Sequence, residues 1–192
     1  ANIGPAKDKD LASPDPDIRK AGVNYLIDIL KAMEKVGSKS LVGAMYSYWP
    51  CQFEITDKEA AWERSIEGMK EVAEAAESLG IECCQEVLNR YETYIITDCR
   101  EGLEYCRRVG SENVNLLLDT FHMNIEEDNI PEAIRLAGRK LGHLHVGESN
   151  RKLPGMGSLP WRDIGRALRD IGYEKGVVME PFLLQGGEVA RD

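Results

Sequence analysis

The stretch "LGHLHVGESNR", residues 141–151, places two histidines in a short apolar run that breaks into Gly, Glu, Ser, Asn and Arg. The chain contains only three histidines, and the third ends a similar run, "NLLLDTFH" at residues 115–122. Short apolar runs bounded by polar and turn residues are typical of buried strands. The two stretches therefore predict strands whose ends carry polar, chemically active side chains.

Outward from these two runs, helical and strand patterns alternate along the chain. Apolar residues recur at helical spacing in residues 15–37, 57–80 and 160–172, and shorter helices are predicted after Asp98 and from Pro131. Short buried strands are predicted at residues 40–46, 81–87, 114–121, 141–148 and 176–182. This alternation indicates parallel βαβ units, either in an open doubly wound sheet or in a (β/α)8 barrel.

Polar residues at the strand ends favour the barrel. Because alternate side chains of a strand share a face, Glu86, Asp119, His145 and Glu180 are expected near the carboxyl ends of four successive strands. A barrel builds its active site at that end. No G-x-G-x-x-G motif follows a strand to open a helix, which disfavours a nucleotide-binding sheet. We therefore predict an α/β fold of the (β/α)8 TIM-barrel type.

Net charge, the length of apolar runs and the cysteine pattern indicate which kinds of partner and which cellular location are expected. The net charge of −9 argues against a nucleic-acid partner, which would require a basic face. No apolar run is long enough to span a membrane. The five cysteines form neither a C-x-x-C pair nor a zinc-binding spacing. An odd number of scattered thiols is typical of a protein in a reducing, cytoplasmic location.

The residues at the four strand ends form a candidate metal shell of three carboxylates and one imidazole. Oxygen donors with one nitrogen favour Mn²⁺, Co²⁺ or Mg²⁺ over structural zinc, which prefers sulfur. The alternative is that each residue is an ordinary polar group that caps its strand. Their occurrence in four consecutive strands, at matching depth, favours the metal site.

Several long motifs resemble the ketose 3-epimerases, the D-tagatose and D-allulose (D-psicose) 3-epimerases of the sugar isomerase/epimerase barrels. The matching motifs are "YSYWP", "QEVLNRYET", "LLLDTFHMNIEE", "GHLHVGESNR", "PGMGSLPW" and "VVMEPF". The resemblance implies an isomerase that epimerises free ketohexoses at C3, such as D-fructose to D-allulose or D-tagatose to D-sorbose. It further implies a homodimer or homotetramer.

The resemblance also assigns roles to particular residues. It implies that one metal ion, usually Mn²⁺ or Co²⁺, is held by Glu86, Asp119, His145 and Glu180. Glu86 and Glu180 are implied to be the catalytic acid and base as well. The residues implied to hold the O1 and O2 end of the sugar are Glu92, His122 and Arg151.

The chemistry of C3 inversion explains why such a set is needed. A C3 proton beside a ketone is a very weak acid, so a cation on O2 and O3 must stabilise the developing enediolate. Inversion then needs a base on one face of the sugar and an acid on the other. Two glutamates that flank one metal ion meet both requirements.

The roles of some neighbouring residues stay open at this point. The motif "YSYWP" is expected to form either an apolar wall for the sugar or part of the core. If it forms the wall, Trp49 is the expected sugar contact. His143 is expected to be an interior histidine or a support for the metal ligands. Glu148 is expected to shape its loop or to pair with Arg151, and Trp62 is expected in the core.

The chain is shorter than a complete barrel. Its 192 residues contain five predicted strands, whereas a barrel has eight in ~250 residues. The resemblance implies that residues 1–192 form one domain, the central and C-terminal part of a barrel. On this interpretation the chain starts in the loop after the third strand and lacks the first two or three strands and the last helix.

Other functions of related barrels compete with epimerisation. An aldose–ketose isomerase similar to hydroxypyruvate isomerase would move the proton between C1 and C2, and many such enzymes use two metals. A DNA-repair endonuclease would need several zinc-binding histidines and a basic face, and the sequence has neither. A non-catalytic sugar-binding relative would have no need of both glutamates together with Glu92, His122 and Arg151.

Overall fold

The computed structural model describes residues 1–51 and 57–181 of the chain. One curled sheet holds six parallel strands, each paired with the next along the chain. The strands are β1 (Asn2–Ile3), β2 (Ser40–Gly43), β3 (Glu82–Val87), β4 (Val114–Asp119), β5 (Leu141–Val146) and β6 (Gly176–Met179). Sequential parallel pairing with curvature in one direction is the arrangement of a (β/α)8 barrel, here a half-barrel, and it confirms the predicted fold class.

Helices return the chain from the end of each strand to the start of the next. They are α1 (Pro16–Lys35), α2 (Lys58–Leu79), α3 (Cys99–Val109), α4 (Thr120–Glu126), α5 (Ile130–Ala137) and α6 (Trp161–Asp170). Helix α2 matches its prediction: Asp57 caps its first turn, and Gly80, with φ 61°, ends it in the left-handed conformation that glycine favours. Trp62 lies in the core, as predicted. None of the described helices is both long and apolar enough to span a bilayer.

The two faces of the sheet have different environments because side chains alternate along each strand. Outward-facing residues such as Leu41, Leu116 and Leu144 are fully buried in the main core beneath the helices. Inward-facing Val42, Cys84 and Leu117 form a separate small apolar cluster. This cluster lines the interior one pleat below the carboxyl ends of the strands.

Strand register places neighbouring site residues within two residues of one another in depth. Glu86 lies beside Leu117, and Asp119 lies beside His145. His145 in turn lies beside Val178, two residues before Glu180. The predicted clustering of these residues at the carboxyl edge therefore follows from the register.

Some predicted element boundaries were wrong. The chain begins with strand β1, which pairs with β2, so the expected start in a loop and the count of five strands were incorrect. The predicted strand 114–121 stops at Asp119, whose carboxylate caps the first turn of α4, a helix that the apolar pattern did not reveal. Strand β2 ends at Gly43 and β5 at Val146, earlier than predicted. The predicted end of the last strand, Phe182, lies outside the described residues.

Candidate metal centre

Four side chains from four successive strands converge on one point. Glu86 lies one residue before the end of β3, Asp119 ends β4, His145 lies one residue before the end of β5, and Glu180 directly follows β6. One potential ligand atom from each residue lies within 4.8 Å of those of the other three. This is the group in which the sequence predicted a metal ion.

The imidazole of His145 lies close to two carboxylates. Its Nδ1 atom is 3.5 Å from Oε2 of Glu180 and 3.6 Å from Oε1 of Glu86. This nitrogen is buried, and it makes no hydrogen bond with any group in residues 1–51 and 57–181. A buried nitrogen without a hydrogen-bond partner, facing carboxylate oxygens, fits the chemistry of a shared cation.

The same geometry alters the titration of His145. Burial lowers the pKa of the imidazole, but the carboxylates of Glu180 and Glu86 outweigh burial and raise it to about 10. A protonated ring would partly balance the negative charge of this acidic group. A divalent cation would take over that role, because a histidine must be deprotonated to bind metal.

Asp119 is the most deeply placed of the acidic residues and has no solvent exposure. Its Oδ1 accepts a 2.7 Å hydrogen bond from the backbone N–H of Phe121, and its Oδ2 accepts a 3.1 Å bond from Arg151. Burial raises the pKa of Asp119, although His122 and Arg151 act in the opposite direction. Burial also acts to raise the pKa of Glu180, but the adjacent His145 outweighs it and lowers that pKa.

The donor set fits a divalent cation of the harder kind. Three carboxylates and one imidazole supply oxygen donors with a single nitrogen, the set that suits Mn²⁺ or Mg²⁺. Three carboxylates at such short range, two of them buried and that of Glu180 half-buried, also repel one another unless positive charge compensates them. A bound cation would provide that compensation.

Arg151 borders this group from the loop after β5. Its guanidinium lies 3.7 Å above the ring centre of Phe121, and its Nη1 is 3.1 Å from Oδ2 of Asp119 and 3.4 Å from Oε2 of Glu180. Its backbone adopts φ 58°, a left-handed conformation that is uncommon for a residue with a side chain. The loop thus holds the positive charge of Arg151 directly against Asp119 and Glu180, two of the four predicted metal ligands.

The other predicted sugar contacts also border this group. His122 is buried, and its Nε2 is 3.8 Å from both Oε1 of Glu86 and Oδ2 of Asp119. The indole N–H of Trp49 donates to Oε2 of Glu92 at 3.0 Å. The structure therefore brings every predicted site residue to one end of the barrel.

The sequence analysis missed three residues that hold these groups in place. Asn89 is buried and bonds to both Glu92 and His122, and Tyr46 donates to the backbone carbonyl of Glu86 at 2.8 Å. Thr120 accepts from the N–H of Gly147 and donates to its carbonyl, which joins the ends of β4 and β5. Asn89 sits within the quoted "QEVLNRYET" motif, and that position was the only available signal for it.

Two residues that the sequence left open can now be described. Glu148 has no solvent exposure and accepts hydrogen bonds from Gly155, Leu159 and Trp161 in its own loop, which supports the loop-shaping alternative. His143 is half-buried one pleat below His145, with the two rings edge to face at 5.2 Å. A Cβ at Gly176 would lie 2.8 Å from the His143 ring, so glycine leaves the space that this interior histidine occupies.

Comparisons with known proteins agree with the barrel fold. The family model described as "Xylose isomerase-like TIM barrel" matches residues 2–191. A D-psicose 3-epimerase of Ruminiclostridium cellulolyticum is 53% identical over 187 residues, which cover 97% of this chain and 64% of that protein. A D-psicose 3-epimerase of Agrobacterium fabrum is 46% identical, over 100% of this chain and 67% of that protein.

A solved structure shows the same likeness in three dimensions. It is described as D-psicose 3-epimerase with D-tagatose from Clostridium cellulolyticum H10, and it matches with a TM-score of 0.95 and 52% identity. The match covers 98% of this chain and 66% of the solved one. The chain thus spans about two thirds of the length of the relatives it matches.

Proposed function

This chain belongs to the xylose isomerase-like TIM barrels and, within them, to the ketose 3-epimerases, and we propose from that premise that the whole protein epimerises free ketohexoses at C3. The observation that carries the proposal is the position of Glu86 and Glu180, whose carboxylate oxygens both lie near Nδ1 of His145, at 3.6 and 3.5 Å. Two carboxylates placed around one point can serve two faces of a sugar bound there. The substrate pair D-fructose and D-allulose follows from the likeness to the D-psicose 3-epimerases.

The metal proposal rests on the donor set. Glu86, Asp119, His145 and Glu180 would hold one divalent cation, Mn²⁺ or Co²⁺, with Mg²⁺ as the third choice. When bound, the cation would supply positive charge that stabilises the negative charge developing on the oxygens of the sugar.

The side chains perform the proton transfers and the binding. One of Glu86 and Glu180 takes the C3 proton from one face, and the other returns a proton to the opposite face. Arg151 donates to sugar oxygens from the β5 loop, since a guanidinium has several fixed donors and accepts nothing. Glu92 accepts and His122 donates hydrogen bonds at the O1 and O2 end. Trp49 provides an apolar wall, and its N–H fixes Glu92.

Three further proposals concern the setting of the enzyme. Residues 1–192 form a single domain of the barrel, and the complete protein assembles as a homodimer or homotetramer. We place it in the cytoplasm, because all five cysteines in the described part of the chain are buried, free thiols, as expected in a reducing compartment. Light scattering on the full-length protein measures the assembly state.

Metal removal combined with product identification tests the function. Full-length protein treated with a chelator should lose turnover of D-fructose and regain it with Mn²⁺ or Co²⁺. Asp119→Asn should fail to regain it, whereas the control Glu112→Gln, which changes a side chain that is 98% exposed, should behave as the wild type. D-allulose as the product supports the proposal. An aldose product would identify an aldose–ketose isomerase, and inert, metal-free protein would identify a non-catalytic relative.

A further inference from the structure

Asn89 joins the two predicted sugar contacts that lie on one border of the metal centre. It follows β3, is 1% exposed, and has both polar side-chain atoms bonded. Its Nδ2 lies 2.8 Å from Oε1 of Glu92 and 2.7 Å from Nδ1 of His122, and its Oδ1 accepts from the backbone N–H of Tyr91 at 2.8 Å. The amide thus contacts three groups with different hydrogen-bonding abilities.

Two of those groups fix the orientation of the amide. The backbone N–H of Tyr91 can only donate, so the oxygen of Asn89 must face it. The carboxylate of Glu92 can only accept, so the nitrogen of Asn89 must face that side. A flipped amide would set donor against donor at Tyr91 and oxygen against oxygen at Glu92, and both contacts would be repulsive.

The orientation of Asn89 in turn determines which nitrogen of His122 carries the proton. In this orientation the Nδ2 group of Asn89 donates one N–H to Glu92 and has its other N–H available for Nδ1 of His122, 2.7 Å away. An N–H donor facing Nδ1 requires a lone pair on that nitrogen, so the proton of the neutral ring lies on Nε2. Nε2 is the atom that faces the metal centre, 3.8 Å from carboxylate oxygens of Glu86 and Asp119. Those distances exceed a direct hydrogen bond and leave the N–H directed at the space between them.

We propose that Asn89 is a positioning residue that holds His122 in the Nε2–H tautomer, so that His122 donates a hydrogen bond to a ketose oxygen at the metal centre. The tautomer follows from contacts of this chain alone, whereas the identification of the acceptor as a ketose oxygen rests on the proposed function. The same amide holds Glu92, whose other oxygen accepts from Trp49. One buried side chain thereby orients the donor and the acceptor offered to one end of the sugar.

The isosteric variant Asn89→Asp reverses the contact to His122. Its carboxylate would accept rather than donate, so His122 would need a proton on Nδ1. It would also repel Glu92 at a distance where asparagine attracts it. Asn24→Asp is the matched control, because Asn24 is exposed on α1.

Nitrogen NMR of the histidine rings reads the tautomer directly. In full-length protein labelled with ¹⁵N-histidine and supplied with diamagnetic Mg²⁺, His122 should show an unprotonated Nδ1 and a protonated Nε2. His122→Gln identifies its signals by their loss. Asn89→Asp should give His122 a protonated Nδ1, and Asn24→Asp should change nothing. A proton on Nδ1 in the wild type, or an unchanged pattern in Asn89→Asp, would overturn the inference.

Kinetics separate this inference from the proposed function. Asn89→Asp should lower kcat/KM for D-fructose by about tenfold or more, the effect of one lost hydrogen bond, while its metal content stays at the wild-type level. If the wild type shows the expected tautomer but turns over no ketose, the proposed function fails and the tautomer assignment stands. If the wild type epimerises ketoses with His122 protonated on Nδ1, the inference fails and the function stands. Because the wild-type spectrum decides the tautomer, the outcome does not depend on the folding of the variant.

Discussion

Replacing Glu148 by glutamine should open the loop that carries Arg151. Glu148 has no solvent exposure, and each of its two carboxylate oxygens accepts hydrogen bonds from different donors. Oε1 accepts from the N–H of Gly155 at 2.8 Å and from the indole of Trp161 at 2.5 Å, and Oε2 accepts from the N–H of Leu159 at 3.2 Å. A carboxamide has only one oxygen, so in either orientation its NH₂ group would face a backbone N–H.

The size of the effect follows from these bonds. Hydrogen bonds to a charged group contribute about 1.5–3 kcal/mol each, and those between neutral groups about 0.5–1.5 kcal/mol. If the glutamine oxygen keeps the hydrogen bonds from Gly155 and Trp161, the hydrogen bond from Leu159 is lost. The two remaining hydrogen bonds weaken, because their acceptor is no longer charged. The total cost is about 2–5 kcal/mol, which should appear as local opening of the loop.

Amide hydrogen exchange at Gly155 and Leu159 measures this opening. In Glu148→Gln of the full-length protein, their protection should fall by about 30- to 4,000-fold, since each 1.4 kcal/mol is about a factor of ten. KM for the ketose should rise as well, because the loop places Arg151. Glu112→Gln, the same change at an exposed position, should leave both quantities unchanged. Protection in Glu148→Gln within about threefold of that control would refute the reasoning, since a threefold change corresponds to well under 1 kcal/mol.

The remaining predictions concern pH, metal binding, substrate binding and stability. Burial acts to raise the pKa of Glu148, but the bond from Trp161 and the loop amides outweigh it and lower that pKa. The stabilisation of the loop should therefore be present above the unfolded glutamate pKa of about 4.3 and be lost as pH falls through the lowered folded pKa, whereas in Glu148→Gln this dependence should vanish. In calorimetric titrations, His145→Ala should weaken metal binding by at least about 100-fold. Arg151→Ala should raise KM about 10- to 100-fold while the metal content stays unchanged, because a guanidinium donates to sugar oxygens but cannot bind a cation. Tyr46→Phe leaves the buried carbonyl of Glu86 without its donor and should lower the free energy of unfolding by about 1–2 kcal/mol, as measured by urea denaturation.

The sequence predicted the fold from features that are local. The alternation of helices and strands, the end of α2 at Gly80, and the polar residues at four strand ends all depend on short-range patterns. Val36 shows the limit of a helical pattern: it fits the apolar stripe of α1, yet it lies beyond the last turn and is 79% exposed. Helix α4 was missed because Phe121 continues an apolar run, while the turn is set by the Asp119 carboxylate.

The supporting residues of the site could not be predicted in the same way. Asn89 meets His122 across 33 positions of sequence, and Tyr46 meets Glu86 across 40. Such pairs are defined by strand register and loop conformation, which one sequence does not reveal. The predicted ligands were easier to find, because each one sits at the end of a strand of its own.

Deuterium uptake at C3 tests the central claim, that Glu86 and Glu180 serve opposite faces of a ketose. In full-length Glu86→Gln and Glu180→Gln, supplied with metal and D₂O, epimerisation should fall by roughly 10²–10⁴-fold. For a given ketose, the variant that keeps the base should still exchange the C3 hydrogen, and the variant that lacks the base should not. Changing the substrate to its C3 epimer should exchange these roles. If either variant still epimerises, or if one variant is inactive with both epimers while the other is unaffected, a single glutamate performs both transfers and the claim is wrong.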